Sequence, residues 1–112
     1  MATGSPNPLP DPAFTVEAEI GGRTVQVRFT HHYQRRAGRR GVEPDEVIAC
    51  LRKPDKRGLT VDQFDPPADR KRWGRYDETG RRRLDVVFEE SEEDGRRVVS
   101  VVSVFWMSGG GI

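Results

Sequence analysis

The run HHYQRRAGRR, from His31 to Arg40, gathers two histidines and four arginines. Read as a helix, it stacks His32, Arg36 and Arg40 at i, i+4 and i+8 along one face, with Arg35 and Arg39 in a neighbouring row. Histidine gives or takes a proton near neutrality, its ordinary pKa being about 6.5, and the planar fork of arginine pairs with phosphate oxygens. Four arginines so placed need open solvent or an anion opposite, and a histidine beside them would be poised to move a proton. His31 lies off that row. Trp73 and Tyr76 also carry rings on which bases could stack.

The same residues have a structural reading. His32 can cap or pack its helix, the arginines can pair with Glu43, Asp45, Asp77 or Asp85, and an arginine before a glycine can bond the last carbonyls of a helix. Arg70, Lys71, Arg72 and the arginines at 81–83 read as solvated charges, although they could track an RNA backbone, and Trp73 as packing in the core or at its rim. Adjacent histidines with one cysteine make no tetrahedral metal site, because neighbouring side chains diverge on a helix. The glycines at 109–111 have no helix after them, so they are no phosphate cradle. Neither a metal nor a cofactor is expected.

Several elements must hold this run in place. Thr30 can accept a bond from the first helical turn, and Gly41 can take the left-handed conformation that ends it, which predicts a helix over residues 31–40. Pro44 fits the start of a second helix, Asp45 and Glu46 suit its positive end, Val47, Ile48 and Leu51 form an apolar stripe, and Pro54 stops it. Before them, Phe14, Val16, Ala18 and Ile20 alternate with polar residues, Gly21-Gly22 offers a tight turn, and Val25, Val27 and Phe29 return as a second strand. Later, residues 59–64 suggest a short edge strand and 73–76 a strand, with a turn at 77–80. Leu84, Val86 and Phe88 share one side of a strand over 81–89, followed by an acidic turn at 90–95. Residues 97–106 are apolar on both sides, Val98, Val102 and Val104 on one and Val99, Val101 and Phe105 on the other, as in a central strand. The pattern predicts an α+β domain over residues 14–107, with two short helices on one face of a mainly antiparallel four- to five-stranded sheet. Residues 1–13, rich in proline, and 108–112 read as tails.

At 112 residues the chain suits one domain with one modest core. Its net charge of +1 conceals an uneven distribution. Residues 30–83 carry fifteen Lys and Arg against nine acids, or +6, and residues 84–112 two against six, or −4. The basic middle is a candidate footprint for phosphates. Cys50, the single cysteine, reads as a small buried apolar residue. Neither a signal peptide nor a stretch of about 18 apolar residues is visible, so a cytoplasmic protein without a membrane partner is the expectation.

FTHHYQRRAGRRGVEPDEV resembles the opening of a bacterial domain family of unnamed function related to the RelE and BrnT ribonuclease toxins. That family's pattern is F-T-x-H-A-x-x-R-x-x-x-R-G-I-s-x-e-e-V. Phe29, Thr30, His32, Arg36, Arg40, Gly41, Val42 and Val47 match it, and Arg75-Tyr76, LDVVFEE and VVSVVSVF resemble its later strands. Tyr33 stands where a small residue is usual, and Glu43 where a Ser or Thr cap is usual. The resemblance implies a RelE-like fold, RNA as substrate, metal-independent endoribonuclease activity and an antitoxin or other protein partner. Such cleavage needs a 2′-hydroxyl deprotonated, a 5′-oxygen protonated and the extra charge on the phosphate stabilised in between. His32 as acid or base, Arg36 and Arg40 as phosphate clamps, and Arg75 with Tyr76 from a strand further on would make that site. A noncatalytic interaction module of the same fold, or a toxic C-terminal domain of a larger secreted protein, is the alternative.

Overall fold

A computed structural model describes residues 12–59 and 70–108. The alternating residues form β1 (Pro12–Ile20), which turns at Gly21-Gly22 into β2 (Arg23–Thr30). Two helices follow, α1 (His31–Arg40) and α2 (Pro44–Arg52). Then come β3 (Arg70–Tyr76), β4 (Arg82–Glu93) and β5 (Arg96–Ser108), an antiparallel meander. The result is an α+β fold with a five-stranded sheet in the order β1-β2-β5-β4-β3. Neighbours are antiparallel except β2 and β5, which run parallel. A parallel pair needs a long crossover between its strands, and α1, α2, β3 and β4 together supply it. The last strand thereby becomes the centre of the sheet.

Several boundaries differ from the sequence pattern. The acidic residues Glu90 to Glu93 do not form a turn but continue β4, leaving only Asp94-Gly95 to reverse the chain, with Asp94 at φ 53°. A two-residue hairpin turn of this kind matches the twist of its flanking strands. The proline-rich expectation for residues 1–11, most of the suggested edge strand and residues 109–112 lie outside the described residues. Within them, Pro12 and Ala13 belong to β1, and the Leu59 N–H donates to the Arg72 carbonyl at 3.1 Å.

One face of the sheet meets the helices. Val25, Val27, Phe29, Leu84, Val86, Phe88, Val99, Val101 and Val104 pack there against Tyr33, Ala37, Val47, Ile48 and Leu51. Cys50 is buried with them; burial pushes its thiol up to about 12, so it is an inert apolar residue here. Tyr33 points into this core rather than toward His32, 4.8 Å from the Phe29 ring, and its hydroxyl has no hydrogen-bond partner. The departure from a small residue therefore fills the core.

A bulge decides the other face. Val87 pairs with Ser103 and Phe88 with Val101, which leaves Val102 as an extra residue in β5. Strict alternation would put Val104 with Val98 and Phe105 with Val101. Instead Val104 joins Val101 in the core, and Phe105 turns to the opposite face.

Basic residues that read as solvated charges are ion-paired along and between the strands of this sheet. Arg70 meets Glu89 at 2.7 Å, Lys71 meets Glu90 at 2.6 Å, and Arg72 and Arg83 both meet Asp85, at 2.8 and 2.6 Å. Arg82 reaches Asp77 at 3.4 Å. Trp73 packs edge-on against Phe88, ring centroids 4.9 Å apart, as a rim residue.

Candidate functional site

Thr30 sets the position of α1. Its Oγ1 accepts the Tyr33 N–H at 3.0 Å, capping the helix, and donates to the Val101 carbonyl at 2.9 Å. At the other end Gly41 takes φ 64°, a left-handed conformation that costs other residues energy, and its N–H bonds the Ala37 carbonyl. Between these caps α1 runs beside β5 beyond the point where β2 stops pairing with it. The Trp106 Nε1–H donates to the Arg40 carbonyl at 2.8 Å, and Arg40 Nη1 donates to the Val104 carbonyl. The helix thus covers an edge of the central strand.

Tyr33 and Ala37 are the buried side of α1, and His32, Arg36 and Arg40 are half-buried beside them. The helix contains four arginines and no acid. Among the described residues, Arg35, Arg36 and Arg39 have no hydrogen-bond or ion-pair partner. Of the acids that were candidates to neutralise them, Asp77 pairs with Arg82, and Asp85 with Arg72 and Arg83. Glu46 accepts the Glu43 N–H at 2.9 Å, so Glu43 still opens α2 within a reciprocal cap.

Burial lowers the His32 pKa below its ordinary value of 6.5, and the positive charges of Arg36, Arg35, Arg40 and Arg70 lower it further. The imidazole is neutral at physiological pH and able to accept a proton. Linkage follows with a definite sign. Below pH 6.5 the unfolded chain takes up this proton more readily than the folded one, so the contribution of His32 to stability is intact above 6.5 and is lost as pH falls toward the folded pKa. A histidine NMR titration should place the His32 midpoint below 6.5, and Arg36→Gln should move it upward. A wild-type midpoint at or above 6.5 would contradict this electrostatic picture.

The sheet does not bring Arg75 to this histidine. Arg75 pairs across the strands with Leu84 on the helix-bearing face, and its Nη1 donates to the Ala49 carbonyl of α2 at 3.1 Å. Tyr76 lies opposite Arg83, on the other face of the same strand, and interacts with it. Five residues of strand, about 17 Å, separate Arg75 from Arg70, the β3 arginine whose field reaches His32.

Two residues that the sequence pattern passed over come to α1 instead. The Phe105 ring receives the Arg40 guanidinium at 4.9 Å and that of Arg72 at 5.2 Å. Arg72 is held from behind by Asp85, whose Oδ2 accepts its Nε at 2.8 Å. The sequence offered only a weak signal: Arg70 and Arg72, two apart on a strand, share one side and so could face a common partner.

Comparison with family models, curated proteins and solved structures finds no match for this chain. Among the described residues, no helix is long and apolar enough to cross a membrane.

Proposed function

We propose that this is a RelE-like, BrnT-like RNA-binding protein that cleaves its RNA at α1, as the toxin of a toxin–antitoxin-like pair acting in the cytoplasm. The observation that carries the proposal is a histidine kept neutral among arginines that lack acidic partners. The arginines draw in the phosphate backbone, and the neutral His32 imidazole takes the proton from a 2′-hydroxyl. The 2′-oxygen then bonds to phosphorus and the bond from phosphorus to the 5′-oxygen breaks, leaving a 2′,3′-cyclic phosphate and a 5′-hydroxyl whose proton comes from water. Arg36 and Arg40 offset the charge on the pentavalent phosphate. Arg75, engaged with α2, has no part in this version of the site. An acidic antitoxin segment is the partner that would cover the basic helix.

Induced expression in a bacterial host, with total RNA followed over time, tests the proposal. Wild type should arrest growth and fragment RNA. His32→Ala should lower cleavage by about 100-fold or more, the usual weight of a general base, while staying folded. Cleavage unaffected by His32→Ala would remove His32 from the mechanism. Intact RNA from purified wild type on a broad set of RNAs would end the nuclease reading.

A further inference from the structure

Phe105 is where two cations from distant parts of the chain converge, Arg40 from α1 and Arg72 from β3, at 4.9 and 5.2 Å from one ring. Neither guanidinium is there for want of another place. Arg40 is anchored to the Val104 carbonyl, and Arg72 to a carboxylate that is itself buried, Asp85. Asp85 serves Arg72 and Arg83 and has no contact with Arg40, so no carboxylate among the described residues answers the charge on Arg40.

The β5 bulge adds a second, independent observation. Ser103 is 6% exposed and its Oγ has no hydrogen-bond partner. By register it pairs with Val87, which pairs with Arg72, so Ser103 and Arg72 lie in one row across β3, β4 and β5 on the face that carries Phe105. Two residues along β5 is Phe105 itself, and α1 borders the same stretch of strand. Among the described residues, the two other unpartnered buried hydroxyls lie elsewhere: Tyr33 in the core, and Ser91 four residues along β4 from Val87, about 13 Å away. A hydroxyl without a partner is free to turn its proton toward an anion.

We infer that this face of the sheet carries a phosphate subsite built on Phe105, with Arg40 and Arg72 beside the ring and Ser103 Oγ, two residues along β5, as a further donor. The inference rests on the RNA-binding reading and deepens it, since it locates where one backbone phosphodiester sits. The two guanidiniums are held apart from solvent-exposed disorder by the ring and by Asp85, so they meet the phosphate in a fixed orientation. The Ser103 hydroxyl is closed off from bulk water in this structure, so its bond to the phosphate requires the side chains over it to turn aside. Recognition of this kind reads the backbone and is indifferent to base identity.

Binding of a fluorescein-labelled, 2′-O-methylated single-stranded RNA of mixed sequence, which cannot be cleaved at its 2′-oxygens, tests the subsite. Fluorescence anisotropy should show Ser103→Ala weakening binding by about 10-fold, as expected for one lost hydrogen bond to a charged group. Phe105→Leu should weaken it by at least as much, because both arginines lose their platform. Ser91→Ala, which removes a comparable hydroxyl away from Phe105, should bind as wild type does. Thermal melts must accompany each variant, and Ser103→Ala should melt no lower than wild type. If wild type binds and Ser103→Ala binds equally well, the subsite is wrong while the RNA reading stands. Equal weakening in Ser91→Ala would also overturn it. No binding by wild type would end both.

Discussion

Replacing Asp85 with alanine should destabilise the protein by about 3 kcal/mol, the largest effect expected from any single polar substitution here. Asp85 is wholly buried, yet it carries two cations. Arg72 Nε meets Oδ2 at 2.8 Å, and Arg83 meets Oδ1 at 2.6 Å and Oδ2 at 3.0 Å. Removing the carboxylate leaves two guanidiniums facing one another without a counter-charge. Their side chains keep 20% and 16% exposure and can partly rehydrate, which holds the cost to the lower end for a broken buried pair. For a domain of this size, that corresponds to roughly 12–24 °C in melting temperature. A shift under 3 °C by calorimetry would mean that the triad is dispensable. The opposite strand is shaped around the same carboxylate. A Cβ on Gly74 would lie 2.5 Å from Asp85 Oδ1 and 2.7 Å from Arg83 Cδ, so Gly74→Ala should also lower the melting temperature by displacing the acid from its partners.

That triad also shows why the fold was more legible than the site. Strands and helices follow from signals local in sequence: the alternation before Gly21, the cap at Thr30, the stop at Gly41. The structure places elements there because those signals act over a few residues. The parallel pairing of β2 with β5 is a different matter. It depends on where a strand from the end of the chain finds space, and neither strand's own residues encode its neighbour. The bulge at Val102 has the same character. Nothing in VVSVVSVF separates an extra residue from regular alternation, although one extra residue is enough to move Phe105 from the core face to the face of the arginines.

The candidate site was legible where it lies on one element and illegible where it is assembled from several. His32, Arg36 and Arg40 share a helix face because spacing alone determines it, and they are half-buried together along α1. Arg75 was assigned to the site on its position in a motif, but strand parity turns it toward α2, where it bonds the Ala49 carbonyl. Arg72, three residues earlier on β3, is on the parity that reaches Phe105. Choosing between them requires knowing on which face of the sheet Phe105 lies. That knowledge comes only with the strand register.

The arginines of α1 are expected to dominate the salt dependence of RNA binding, and their removal should weaken binding without weakening the fold. Arg35, Arg36 and Arg39 provide the cleanest test, because Arg40 also bonds the Val104 carbonyl and contacts Phe105. Each phosphate contact on a single strand adds about 0.7 to the slope of log affinity against log salt, so replacing the three with glutamine should flatten that slope by about 2. At 0.1 M salt the same counterion release amounts to about 0.7 log units per contact, which predicts an affinity loss of roughly 100-fold. Stability should move the other way. Arg35 and Arg39 lie at i and i+4, Arg36 and Arg39 at i and i+3, and Arg36 and Arg40 at i and i+4, all like-charged and without acids on the helix. Removing that repulsion should raise stability by a few tenths of a kcal/mol per pair. A triple variant that binds RNA with an unchanged salt slope would show that the phosphates lie somewhere other than α1. One that binds weakly and melts higher than wild type would mark this helix as a surface that sacrifices stability to hold its ligand.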